Sequence, residues 1–293
     1  MNGKIEFFLP GMFTVDGETG IYPAVSITGK TCILMCDHCM AHILCTMPDC
    51  STPEKLVEFA LKANSSGARG ILVSGGSDKN GKLPWETFWP ALLEIKQKTK
   101  LILSVHSGFA DEDQARLLKQ AKIDQALIDV IGSDDVARRI YKLPNGIAAR
   151  AVDAVFQSGL HVVPHVLVGL DYGKPSDEEK ALEMIAGYSP KTVVIIALRP
   201  SRHTPMGEAN PPTPERVAEI IGLAKSLMPR TFINLGCARP VGEHKRQTDI
   251  LAIRAGVDGI AVPSKQAEEE AARLGLTIIK HPTCCSLISL GSM

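Results

Sequence analysis

The sequence predicts one α/β domain folded as a (β/α)8 barrel of the TIM type, and three observations carry that expectation. From Tyr22 onward, eight short apolar runs alternate with longer amphipathic stretches, the pattern of repeated strand-helix units around a parallel sheet. Several of the runs are apolar throughout, as strands covered on both faces must be. The length of 293 residues is one that a single barrel uses up, with no low-complexity linker dividing it. An open doubly wound sheet is the other arrangement this alternation allows.

The strands are expected, in order, over residues 24–28, 70–74, 101–105, 125–130, 162–168, 192–197, 231–235 and 259–262. Helices are expected between them, including 53–63, 84–98, 177–186, 214–227 and 265–273. Ser51-Thr52-Pro53 and Thr213-Pro214 each place a hydroxyl cap ahead of a proline, which suits the first turn of a helix. Asn210-Pro211-Pro212-Thr213-Pro214 reads as a stiff loop inside one unit, not a boundary. The barrel domain is therefore assigned to residues 1–280, and 281–293 to a tail folding over the barrel mouth.

Hydrophobic residues make up 45% and charged residues 22%, enough apolar material for a sizeable core. Lys plus Arg and Asp plus Glu number 32 each, so no global field draws the chain to nucleic acid or to an anionic membrane. Met1 to Pro10 lacks the charged start and long apolar core of a signal peptide, and residues 160–170 are broken by His161, Pro164 and His165. A cytoplasmic protein without a transmembrane helix is expected. Of eight cysteines, five fall between positions 32 and 50. In a large chain without an export signal, that bunching reads as metal binding or catalysis and not as a disulfide framework.

Chemistry in a parallel barrel collects where strands end and loops begin. The residues at those positions are the Cys32 loop, Ser74-Gly75-Gly76-Ser77, His106-Ser107, Asp129, His165, Arg199 with Arg202, Cys237 with Arg239, and Ser264. Taken singly, each has a structural reading: paired glycines make a turn, a strand-end histidine packs, and an arginine forms a barrel-end ion pair. Collected at one rim, they form a site.

Within the first loop, Cys32-Ile-Leu-Met-Cys36-Asp-His-Cys39 has C-x3-C-x2-C spacing. Three thiolates can wrap one corner of a [4Fe-4S] cluster and leave one iron open to a cosubstrate. A zinc site is the competing reading, but zinc motifs usually bring paired C-x2-C or C/H elements.

This spacing, its place after the first strand and His38 before the last cysteine resemble the radical S-adenosylmethionine (SAM) superfamily. The resemblance implies that SAM chelates the open iron. An electron, from a donor such as ferredoxin or flavodoxin, then cleaves SAM to methionine and a 5'-deoxyadenosyl radical that abstracts hydrogen. Cys32, Cys36 and Cys39 are the cluster ligands and the catalytic residues on this view. The backbone of His38 would lie near adenine, where an aromatic residue is usual. Ser74, Gly75, Gly76 and Ser77 resemble the glycine-rich motif at the SAM amino group, with Ser77 where a glutamate is usual. Arg199-Pro200, Thr204-Pro205-Met206-Gly207 and Pro211-Pro212-Thr213-Pro214 resemble the sixth-strand region of the biotin synthase group. Arg199 would then pair with the SAM or substrate carboxylate. Ser107, Asp129 and His165, with His106, stand where ribose or substrate contacts would fall.

Five cysteines remain: Cys45, Cys50, Cys237, Cys284 and Cys285. A free cysteine is often a small buried apolar residue, but five in loops and tail are harder to explain that way. Gly236-Cys237-Ala238-Arg239-Pro240 and Cys284-Cys285 resemble the two-component lipoate synthase, in which two related radical SAM chains share the work. That resemblance implies an auxiliary [4Fe-4S] cluster as sulfur source, with Cys45, Cys50, Cys237 and Cys285 as candidate ligands. Cys284 could replace Cys285, and Ser286 is a weaker oxygen donor. The implied substrate is an octanoyl chain on a lipoyl carrier protein, thiolated at C6 or C8. A radical SAM methyl-group, isomerase or lyase enzyme without sulfur insertion, and a zinc-stabilised binding barrel, are the other functions weighed.

Overall fold

The computed structural model describes residues 3–290. Strands β1 (Lys4–Phe8), β2 (Thr14–Val15), β3 (Glu18–Thr19), β4 (Ala24–Ser26), β5 (Gly70–Ser74), β6 (Ile102–His106) and β7 (Gln125–Asp129) are followed by β8 (Val162–Val168), β9 (Thr192–Ala197), β10 (Phe232–Leu235), β11 (Gly259–Ala261) and β12 (Thr277–His281). Helices α1 (Pro53–Ser65), α2 (Trp85–Lys98), α3 (Glu112–Gln120), α4 (Asp134–Ile140), α5 (Ile147–Gln157), α6 (Glu178–Ala186), α7 (Pro214–Leu227), α8 (Glu243–Arg254) and α9 (Lys265–Arg273) lie between them.

Ten strands form one parallel sheet in the order β12-β1-β11-β10-β9-β8-β7-β6-β5-β4, curled into a part-open barrel; β2 and β3 pair separately as a small antiparallel hairpin. The eight expected strands are present. Two more join them, because β1 enters between β11 and β12 and brings a second edge strand with it. Among the described residues, β4 and β12 do not pair. The gap is bridged by Ile21, whose N–H donates to Pro282 O (2.7 Å) and whose carbonyl accepts from Arg69 N (2.9 Å).

Alternation along each strand sorts side chains between two cores. Ile71, Val73, Leu103, Val105, Val193 and Ile195 pack outward against the helices. Leu127, Val163 and Val194 face inward with Phe8 and Ala261. The caps expected from sequence are made: Thr52 Oγ1 accepts from Lys55 N (3.3 Å) and Thr213 Oγ1 from Arg216 N (3.2 Å), each worth about 1 kcal/mol. No helix among the described residues is long and apolar enough to cross a membrane.

The tail assigned to residues 281–293 begins inside the sheet, since His281 ends β12. Cys285–Leu290 form a 3-10 turn, and residues 291–293 lie outside the described part. Cys285 and Ile288 of this turn fill the inner core. Gln125 and Thr192, at the amino-terminal ends of their strands, and His161, just before β8, hold Ser286 and Ser289 at 2.7, 2.7 and 2.9 Å respectively. The described part of the tail thus closes the end of the barrel opposite the Cys32 loop. Polar groups at the starts of β7, β8 and β9 receive it there.

Candidate functional site at the carboxyl ends of the strands

The Cys32 loop leaves β4 and is laid against the end of β5. Ile27 N donates to Ser74 O (2.8 Å), Ile33 N to Ser77 O (2.7 Å), and Ser77 N to Cys32 Sγ (3.4 Å). Gly76 N donates to Thr28 Oγ1 (2.7 Å), and a Cβ on Gly76 would stand 2.6 Å from Cys32 Cβ. The paired glycines therefore admit the cysteine loop itself. Met35, Met40 and Ala41 have positive φ, so the loop is wound tightly around its cysteines, and Cys39 N and Met40 N both donate to Cys36 O.

One side chain pins this loop. Asp37, buried, takes Lys142 Nζ on Oδ1 (2.7 Å) and the Tyr172 hydroxyl on Oδ2 (2.8 Å), while its N–H donates to Ile140 O (3.0 Å). Nothing in the motif spacing marks Asp37, because its partners are brought in by α4 and by the loop after β8.

Cys32 and Cys39 are half-buried and Cys36 is buried. The Cys36 thiol donates to Cys39, which pushes Cys36 above and Cys39 below the usual thiol range; His38 lowers Cys39 further. Burial opposes protonation of His38, but its bond to Cys39 and the charges of Cys39 and Asp129 outweigh that and raise its pKa. Its Nδ1 is buried without a partner, and its ring lies 5.0 Å from that of Tyr141. Tyr141 donates to Asp129 Oδ2 at the end of β7 (3.3 Å). The rings of His106 and His165 follow, 5.5 Å apart, both held neutral by desolvation, with His165 pushed down to about 4. His38, Asp129, His106 and His165 are thus gathered beside the cysteines, with Tyr141 as a member that sequence did not indicate.

Other expected residues fall elsewhere or serve the fold. Ser107 is fully buried, and its hydroxyl donates to the carbonyls of Gly108 (3.0 Å) and Leu127 (3.2 Å). Arg199 is exposed after β9, without a polar partner among the described residues. Its loop touches the cysteine loop through His203, whose ring lies 6.0 Å from His42. Arg239 is buried and fully engaged: it pairs with Asp249 (2.8 Å) and donates to Gly236 O, Ala261 O and Val262 O.

The five further cysteines separate. Cys45 is exposed on the 3-10 turn His42–Thr46, and Cys50 is buried in the outer core, where desolvation lifts its pKa to about 11. Cys237 follows β10. Its thiol is open to solvent yet walled by protein, so desolvation first and then the charge of Cys284 raise it to about 11. Cys284 lies half-buried at the inner core and accepts from Ser286 Oγ (3.3 Å), while Cys285 is buried. No three His, Cys, Asp or Glu side chains among the described residues converge as a single-ion site. Three thiols on one tightly wound loop, with His38 Nδ1 buried and unpartnered on that same loop, are instead a donor set that fits one corner of an iron-sulfur cluster.

A part-open parallel barrel with such a loop after the edge strand β4 defines a class of cluster-bearing enzymes. The chain belongs to the Radical SAM superfamily, whose pattern matches residues 26–185, more than half its length. Membership implies a [4Fe-4S] cluster, SAM and a reductant. Among curated relatives, the chain is similar to biotin synthase of Zymomonas mobilis (25% identity over 80% of this chain and 72% of that one) and of Syntrophotalea carbinolica (28%, 72% and 64%). A match to biotin synthase of Sorangium cellulosum (29%) spans 52% of this chain and 44% of that enzyme. Two of these three relatives are matched over less than two thirds of their own length. Among solved structures, methylornithine synthase shares the fold at a TM-score of 0.62 (12% identity, 99% of this chain, 87% of that one). So does the FeFe-hydrogenase maturase of Carboxydothermus hydrogenoformans at 0.59 (18%, 90% and 61%).

Proposed function

We propose that this chain is a sulfur-inserting radical SAM enzyme of the lipoyl synthase type. It acts with a related radical SAM chain on an octanoyl group borne by a lysine of a carrier protein. The supporting observation is the second set of thiols: Cys237 beyond β10 and Cys284 on the tail are close enough for the charge of one to shift the other. Neither belongs to the Cys32 loop. Similarity to biotin synthases favours sulfur insertion over a reaction that leaves the later cysteines idle.

On this reading Cys32, Cys36 and Cys39 hold the cluster that, with SAM, supplies the radical. Cys237 and the tail hold an auxiliary [4Fe-4S] cluster that supplies sulfur, and Cys45 and Cys50 lie apart from it. Ser77, His38, Asp129 and Arg199 are the proposed contacts to SAM. The interior wall suits an alkyl chain, because Leu72 and Ile196 are half-open apolar side chains packed, like Cys284, against the inner core. The imidazoles of His106 and His165 above them carry no charge at neutral pH.

Iron counting and product analysis test the proposal. Anaerobic reconstitution should give about eight irons per chain, against about four for a single cluster. With SAM, reductant, the related chain and an octanoylated carrier peptide, the peptide should gain the mass of sulfur. About four irons and an unchanged peptide would sink the assignment.

A further inference from the structure

The tail enters the barrel interior through one hydrogen-bonded line. Gln125, fully buried at the start of β7, donates from Nε2 to Ser104 Oγ (2.7 Å) and to Ser286 Oγ (2.7 Å). Ser104 is held in turn by the Tyr22 hydroxyl (2.5 Å). An amide nitrogen only donates, so Ser286 must accept from it, and the single hydroxyl proton of Ser286 is left to point elsewhere. It points at Cys284 Sγ (3.3 Å). On the other side of the turn, Asn234 Nδ2 donates to Cys285 O (2.8 Å) and fixes the peptide unit that joins Cys285 to Ser286.

Cys285 opens the 3-10 turn and Cys284 stands just before it; their thiols touch but differ in burial. The Cys285 side chain is sunk among Phe8, Leu127, Val163, Val194 and Ile288, whereas that of Cys284 is half-open at the edge of this cluster. Gln125 Oε1 and Asn234 Oδ1 are both buried without partners. An apolar floor would avoid that penalty, so these amides are present for the N–H groups that aim the turn.

We propose that Gln125 and Ser286 are positioning residues that present Cys284, and not Cys285, as the metal-ligating thiol of the tail, paired with Cys237. Cys285 is the plug of the barrel floor. The inference rests on the two-cluster reading above, and the experiment separates the two.

The full chain and its variants are reconstituted anaerobically, and iron and sulfide are counted. Cluster-free protein is alkylated briefly with iodoacetamide and mapped by mass spectrometry. Parent and Cys285→Ala should hold about eight irons, and Cys237→Ala and Cys284→Ala about four. Ser286→Ala and Gln125→Met should fall below eight, and Ser286→Thr, which keeps the hydroxyl, should recover. In the cluster-free parent, Cys284 should alkylate about tenfold faster than Cys285, as accessibility dictates. Loss of iron in Cys285→Ala with retention in Cys284→Ala overturns the inference, as does equal alkylation of the two. A parent chain with about four irons removes the two-cluster reading and the ligand assignment with it. The alkylation contrast and its loss in Ser286→Ala then still decide whether Gln125 and Ser286 aim Cys284.

Discussion

Gly76 and Cys32 touch: a Cβ on the glycine would lie 2.6 Å from the Cβ of the cysteine, with backbone and not a flexible tip beside it. Gly75 is less confined, its nearest contacts being Ile27 and Thr28 side-chain atoms at 3.2 Å.

Gly76→Ala must therefore push the loop off the end of β5. The expected result is loss of most iron from the first cluster, with about 1–3 kcal/mol of destabilisation from overpacking. Gly75→Ala should keep its iron. Iron-to-protein ratio and a urea midpoint measure both, and an iron-replete Gly76→Ala would refute the steric argument.

Asp37 ties the same loop to Lys142 and Tyr172. Asp37→Ala leaves the Tyr172 hydroxyl and the loop without their shared partner, and a loss of about 1–3 kcal/mol is expected. Asp37→Asn keeps an acceptor for Tyr172 and loses only the half-exposed Lys142 pair, so it should lose no more than about 1 kcal/mol. If both variants unfold at the parent midpoint, the side chain does not anchor the loop.

The cysteine spacing was legible in sequence because its ligands are local, and β5, β8 and β9 because their β-branched runs stop at Gly75, Gly169 and Pro200. Asp37 was not, since Tyr172 lies 135 positions away and only the fold joins them. Strand β12 was missed because it is an edge strand whose residues are exposed or half-buried, which leaves no continuous apolar run to read. β1 reads as an apolar tip at the start of the chain until β11 and β12 are seen on either side. The side of the barrel that the tail reaches was hidden for a similar reason. Gln125 and Thr192 look like ordinary polar strand starts, and only the closed turn shows what they bind.

Arg239 and Asp249 form a buried pair under β10 and β11, with side chains 1% and 0% exposed. Arg239→Leu strands the carboxylate, the carbonyls of Gly236 and Ala261, and the turn that carries Cys237. A loss of about 3–5 kcal/mol is expected in urea unfolding. Replacing both charges by leucine should recover part of that, because no unpaired ion remains. A single variant within about 1 kcal/mol of the parent would mean that water reaches Asp249.

His165 supplies a pH dependence whose sign can be worked out. Desolvation, with the neighbouring His106 adding to it, lowers its pKa from an ordinary 6.5 to about 4. Between those values the unfolded chain binds a proton that the folded chain does not, so stability rises with pH across this window. The neutral imidazole imposes no penalty above about 6.5, and the penalty grows as pH falls toward 4, up to about 3 kcal/mol before solvent screening. His165→Asn, which cannot titrate there, should flatten that limb of the curve. Urea unfolding of the cluster-free chain at several pH values from about 4 to about 8 reads the slope. Equal slopes in parent and variant would show that His165 takes up its proton in the folded barrel as readily as in water.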